Sequence, residues 1–424
     1  MITPRHYSIG PWLKTISIAG LIALGGCGWF KRTPVAEVEV APAAGTPDLT
    51  WGTYLHDEYR TNSTTEAIKV PLKSLWKKRL SPLRIRSLEE TSSPVISDGV
   101  VFVGSTTGTL YALDLDRGKT LWEFKADFPV EATATVAGGM VCFGSSGGIF
   151  RCLNRESGAE IWHFNSRSEI LSAPLIADGR LHFSSSDNRL YTLSAETGEK
   201  LWSYSRPVPG LVSTRLFNAP TLSREKQKIY NVFSDGYLVC LNAETGKELW
   251  KRRILRQTPP SQRARRTPAV RGGLVYVIDD VGGLLMLDED TGELMGKFGA
   301  IKAVDFAVSG KVVYVAGMDS LLALNRTMGK VLWTRELTRG VPSSVVLTAT
   351  HLFIFSNKES IPFNMPTLAN TSGHVEAYTL RKGSPVWYKR LSSTVYTNAA
   401  AAANRIVILT SKGTLQVLGT DPSP

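Results

Sequence analysis

Past Leu72 the chain is written in short runs that alternate apolar with polar residues and favour β-branched and aromatic side chains. That is the pattern of half-buried strands. The first clear group holds four such runs, "SSPVI", "VVFVG", "TLYALD" and "TLWEF". A turn such as "GSTTG" joins the second run to the third, and "DLDRG" joins the third to the fourth. In turns of the second kind the leading Asp, Asn or Ser caps through its side chain, and the glycine supplies a positive φ. No helical period competes in this part of the chain.

The group recurs. Its third and fourth runs return as "GIFRCLNRESGAEIWHF", "NRLYTLSAETGEKLWSY", "GYLVCLNAETGKELWKR", "GLLMLDEDTGELMGKF", "SLLALNRTMGKVLWTR" and "GHVEAYTLRKGSPVWYKR". One slot holds Trp122, Trp162, Trp202, Trp250, Trp333 and Trp387, with Gly296 in the fifth phrase. Successive slots lie 37 to 54 residues apart, which suits a propeller blade and not a heptad. Seven units run from about Glu89 to Leu391. An eighth, from Val395, supplies three strands and stops. The missing strand is at the other end, in "SLWKKRL" with Trp76 in the slot. The expectation is an all-β, eight-bladed propeller of four-stranded antiparallel blades, its ring closed by an N-terminal strand that completes the C-terminal blade.

A slot tryptophan that buries about 150–250 Å² contributes a gross ~4–6 kcal/mol before entropy. Trp76, Trp122, Trp162, Trp202, Trp250, Trp333 and Trp387 are therefore read as packing between blades. Gly296 makes blade five the weak one, offset if Met295 or Phe298 fills the gap, and Gly296→Trp is expected to raise the melting temperature.

Residues 1–26 read as a signal peptide. Arg5 and Lys14 precede an apolar "TISIAGLIAL" that is too short to span a bilayer, and "LGGC" follows. The small residues before Cys27 resemble a bacterial lipobox, in which the cut falls before the cysteine and the cysteine takes lipid. Each buried methylene of such an anchor adds about 0.8 kcal/mol. Gly28, a non-aspartate in second place, favours the outer membrane by the same resemblance. Residues 27–73 then comprise the lipidated cysteine, an Ala/Pro/Val/Glu tether and an irregular lead-in, and residues 74–424 the propeller.

Composition adds little to the fold and more to the chemistry. Hydrophobic residues are 43% and charged residues 20%, enough core for one large domain. The net charge of +12 favours acidic partners but names none. "LDLDRG" and "LDEDTG" resemble calcium loops, yet they lack the remaining ligands and sit in the repeated turn. His56, His163, His182, His351 and His374 form no metal-ligand spacing. No catalytic residue, metal or cofactor is assigned. Cys152 and Cys240 occupy the small slot that Ala112 fills in blade one. Cys142 and Cys152 lie symmetrically about Gly147, and whether they form a disulfide is left open.

The unit [DN]-x-x-T-G-x-x-x-W after an alternating strand resembles the quinone-cofactor (PQQ) type of propeller repeat, over roughly residues 74 to 420. Dehydrogenases and non-enzymes share that repeat. The dehydrogenases are longer and carry an adjacent cysteine pair and an acidic calcium cluster, and neither is written here. The lipobox, short tether and single eight-blade propeller are similar to the lipoprotein family of the outer-membrane barrel-assembly machinery. That resemblance implies a non-enzymatic scaffold, lipid-anchored in the outer membrane and facing the periplasm. It would dock on the periplasmic domains of the barrel-insertion protein, beside associated lipoproteins and unfolded barrel clients. Nucleic acid is not expected there.

Departures from the repeat are the candidate contacts. The blade three-to-four link, Ser205 to Pro220, resembles the family's partner loop at Leu211 and Arg215, though it is one residue longer. The blade four-to-five link, Lys251 to Arg266, carries seven cations and no acid. The family has acids before its "TP", whereas this chain has Arg263, Arg265 and Arg266. That reversal leaves open another acidic partner, such as anionic lipid, polysaccharide or a different protein; a PQQ-dependent dehydrogenase is the remaining alternative. A third departure is the swollen turn Asn357 to His374, read as a lip, a contact or a disordered loop.

Overall fold

A computed structural model describes residues 50–80, 89–207, 217–256, 266–299, 302–327, 329–360 and 370–420. Among the described residues there are thirty-two strands and no helix. They form eight antiparallel four-stranded sheets arranged as a ring, with the first strand of each innermost. Seven blades use consecutive strands. The eighth joins β1 (Lys73–Arg79) to β32 (Thr414–Gly419), from Lys73↔Gly419 to Arg79↔Thr414. The ring therefore closes as the sequence predicts.

Neighbouring blades meet through the slot tryptophans. Each indole N–H donates to the backbone carbonyl that follows the third strand of the next blade: Trp76 to Leu115 at 2.7 Å, Trp122 to Arg155 at 2.9 Å, Trp162 to Ala195 at 3.1 Å. Trp202, Trp250 and Trp333 reach Ala243, Glu289 and Leu380 in the same way. The ring itself lies on the glycine of that turn. A Cβ on Gly118 would come 2.7 Å from Trp76, and Gly246 stands in the same relation to Trp202. That glycine is thus required twice, once for φ near +70° and once for the neighbour's indole. The turn's leading side chain is also spent locally. Asn242 Oδ1 accepts the N–H groups of Glu244 and Thr245, and Asp288 does the same for Asp290 and Thr291. The calcium-like spelling of "LDEDTG" is therefore a capped turn. Blade eight has no such turn for Trp387, because its third and fourth strands are the two ends of the propeller chain.

Blade five solves the missing tryptophan by exchange across the strand pair. Trp122, Trp202 and Trp333 lie opposite the small Ala112, Thr192 and Ala323, whereas Gly296 lies opposite Met286. The Met286 methyl sits 2.6 Å from where a Gly296 Cβ would be, and Phe298 reaches the next blade's Gly329. Phe298 fills the gap as anticipated. Met295 does not, being 61% exposed, and the sequence reading missed Met286.

In all eight blades the outer pairing slips by one residue just before the slot. The bulged residue, such as Leu121, Ile161 or Leu201, is half exposed. A bulge in each outer strand interrupts the ladder that a foreign strand would need.

The lead-in is no loose leash. Residues 50–72 are threaded through the end of the axis where the first strands finish, and they bond to every blade in turn. Trp51 exchanges two backbone bonds with Ile96, and Gly52 O accepts from Val136. Glu58, Tyr59 and Thr61 carbonyls accept from Leu222, Val270 and Val308. Asn62 O accepts from Leu347, and Glu66 Oε1 from Asn404 N. Blade three is held by Arg60, whose Nη2 donates to Pro174 O while its Nε donates to Pro220 O of blade four. Arg60 also donates to Thr53 and to Tyr54 O, and it is 1% exposed. Burial pulls its pKa down to about 10, so the guanidinium stays charged at neutral pH. Residues 27–73 are therefore not of one kind: the described part is a plug.

Cys142 and Cys152 are directly opposed on neighbouring strands and joined as a disulfide, with Cys240 a buried free thiol.

Three outcomes follow. Arg60→Met removes a donor from three buried carbonyls, of which Pro174 O keeps Thr135 Oγ1, and should cost roughly 3 kcal/mol in urea unfolding. Gly296→Trp alone overpacks Met286 and should cost about 1–3 kcal/mol, reversing the gain expected from sequence. Combined with Met286→Ala it should recover most of the stability, and a double-mutant cycle with no coupling would refute the exchange. Replacing both Cys142 and Cys152 by Ala removes a short cross-link and should lower stability by about 3 kcal/mol.

Candidate docking face and axial cavity

Strand direction divides the connections between two faces. The plug and the capped third-to-fourth turns share one. The second-to-third turns and the links between blades share the other, and the described ends of the long links lie there.

On that face the two long links end side by side. Asn218 Oδ1 accepts from Arg266 N at 2.8 Å, Thr267 Oγ1 accepts from Ala219 N at 3.0 Å, and Thr221 Oγ1 donates to Pro268 O at 2.6 Å. The first link leaves its blade through Arg206, which stacks 4.5 Å over Tyr237 and bonds Asp235 at 2.6 Å. Leu211, Arg215, Arg263 and Arg265 lie outside the described residues, as does Cys27. Arg266, expected with them at the partner contact, is described. It is nine-tenths buried, and its Nη1 donates to the carbonyls of Ile278 and Asp279. Burial lowers its pKa.

The third departure is a ribbon. Strands His351–Ser360 and Asn370–Thr379 pair from His351↔Thr379 out to Ser360↔Asn370. The first strand of the blade pairs no further than Asn357 and the fourth no further than His374, so the last rungs stand alone. Asn357 ties the base to blade eight through Val395, giving one bond and accepting another. The reading of a lip or loop thus becomes a two-stranded arm at its base; residues 361–369 lie outside the description.

Between these features the axis opens as a cavity of about 360 Å³. Its floor includes Tyr54 and Leu55 of the plug, and its walls carry Arg266, Lys302, Phe306, Met318, Tyr396 and three aspartates. Those carboxylates are already used. Asp279 accepts from Gly283 N and pairs with Lys297 at 2.6 Å, Asp280 accepts from Arg256 N, and Asp305 accepts from Val345 N. Among the described residues no three His, Cys, Asp or Glu side chains are placed to share a metal ion. The Cys142–Cys152 disulfide lies inside blade two, away from this cavity. The donor set therefore does not fit a calcium–quinone group.

Strongly shifted titratable groups do not gather here either. Burial takes His182 down to about 3 and Cys240 up to about 12. His182 is bonded to Thr192 within blade three, and Cys240 lies in blade four; neither lines the cavity. Such shifts mark packed interiors here, not a reaction centre.

The comparisons agree with this architecture. Among solved structures, BamB from Moraxella catarrhalis aligns with a TM-score of 0.65 at 18% identity, over 84% of this chain and 99% of that one. The quinohemoprotein alcohol dehydrogenase from Comamonas testosteroni gives 0.68 at 14%, over 89% and 82%. A computationally designed protein, Ika8, gives 0.61 at 14%, over 79% and 97%. At such identities these matches show the fold alone. A search of curated protein sequences finds no match. A family model described as outer membrane protein assembly factor BamB matches residues 73–151, 143–294 and 282–363. The chain belongs to that family of PQQ-type repeat propellers.

Proposed function

We propose that this chain is a non-enzymatic scaffold of outer-membrane β-barrel assembly. It is anchored through lipid on Cys27, faces the periplasm, and docks on the periplasmic domains of the barrel-insertion protein. The family match carries the reading. Three features of the molecule support it. The links that depart from the repeat are stitched together on one face, as a docking surface requires. The axial aspartates bond within the protein, and the described residues gather no cluster of donors for a quinone's metal. A buried disulfide suits an oxidising compartment.

In this reading Leu211 and Arg215 enter a partner surface, and Arg263 and Arg265 meet acidic residues there. Arg266 holds the root of its link and supports the contact from below.

The test is mild crosslinking followed by co-purification from the native host. The barrel-insertion protein should come down with the wild-type chain, and Arg215→Glu should reduce the yield about tenfold, as for a lost interfacial charge. Recovery of no such partner sinks the assembly role, and quinone-dependent dye reduction by the purified protein would restore the dehydrogenase reading.

A further inference from the structure

The second-to-third turns differ sharply around the docking face. In blades one to four they read "STTG", "SSGG", "SSDN" and "SDG", all small and polar. In blade five the turn is "DDVGG" and in blade six "GMDS". The difference is on the surface, since Val281 is 64% and Met318 48% exposed. Single exposed apolar residues need no explanation, but these two stand on neighbouring turns at one depression.

That depression is the axial cavity, and it is not isolated. A second hollow of about 430 Å³ lies between blades four and five, walled by Arg252, Arg253 and Leu294. The two share Asp279, Asp280 and Val281, so the blade-five turn is a saddle between them. Together they make one trough from the axis to the rim. Its inner end is blind, because the plug is the floor.

Charge in the trough is one-sided. Its walls carry six basic residues against three acidic ones. Arg252 donates to Gly292 O, Arg253 to Leu255 O and Arg256 O, and Arg266 to two further carbonyls. Among the described residues Arg252, Arg253 and Lys302 form no ion pair with a carboxylate; Arg252 is turned toward a carbonyl of the opposite face, and Arg266 lies in the field of Asp279 and Asp280. The aspartates, by contrast, are occupied. The trough thus presents uncompensated cations beside exposed apolar side chains in an elongated, blind-ended shape.

We infer that this trough binds an extended acidic peptide segment of a partner protein, with carboxylates on Arg253 and Lys302 and apolar side chains against Val281 and Met318. An extended chain presents the two by turns, every second residue, and its end fits a closed pocket. Charge supplies steering and salt dependence, and the apolar contacts supply the discrimination from simple ion exchange. This site goes beyond the scaffold reading and does not require the barrel-insertion protein.

The experiment is fluorescence anisotropy with the purified full chain and a short labelled peptide of alternating Asp and Leu. Two control peptides have Asp replaced by Asn, or Leu replaced by Ser. Binding should be saturable and weaken about tenfold with either replacement, and again with raised salt. Arg253→Glu with Lys302→Glu should abolish it. Val281→Asp with Met318→Asp, at exposed positions that leave the fold intact, should weaken it about tenfold. Lys119→Glu on the opposite face should change nothing. Equal binding of the Ser-containing peptide, or binding of phosphatidylglycerol vesicles in place of the peptide, overturns the proposal. Failure here leaves co-purification untouched, so the two readings stand or fall apart.

Discussion

An indole resting on its neighbour's turn glycine sets the geometry of this protein. The contact joins two parts of the repeat that are adjacent in sequence but belong to different interfaces. The tryptophan of one blade needs the bare glycine of the next, and the glycine's carbonyl-rich turn takes the indole proton. A large side chain in that slot then demands a small one across the strand pair, as Ala112 faces Trp122. Where the tryptophan is gone the demand inverts, and Met286 occupies the room that Gly296 vacates. The core is thus filled by exchange rather than by one residue type, in keeping with close packing.

Much of this was legible because it repeats. Turn spelling, slot spacing and the orphan strand at Trp76 all arise from local sequence recurring at a fixed distance, and they place blades and closure correctly. The plug was not legible for the opposite reason. Its bonds run from residues 50–72 to partners spread over the whole chain, and it makes each only once. The one available signal was a gathering of large apolar residues, Trp51, Tyr54, Leu55 and Ile68, just past a stretch rich in alanine and proline. The bulged leucines were invisible too, since alternation marks them as ordinary strand residues.

The candidate site was read in part. The described ends of both long links and the base of the arm fall on one face, as strand direction requires. Their individual roles did not follow from composition. Arg266 looks identical to Arg265 in sequence, but the backbone turns inward at Thr267 to begin a blade, and Arg266 goes with it into the wall of the axis. Val281 and Met318 were passed over because each is one residue in a short turn. Only the ring brings them to the same opening.

The plug has a mechanical meaning. It precedes the closing strand in the chain, so tension applied from the N-terminal side reaches the plug first. There the load is shared by backbone bonds to six inner strands instead of peeling β1 from β32 rung by rung. Resistance to force is a matter of unfolding rate rather than of equilibrium stability. Any pull on this chain from its N-terminal side would thus be taken up before it reached the seam where the ring could unzip.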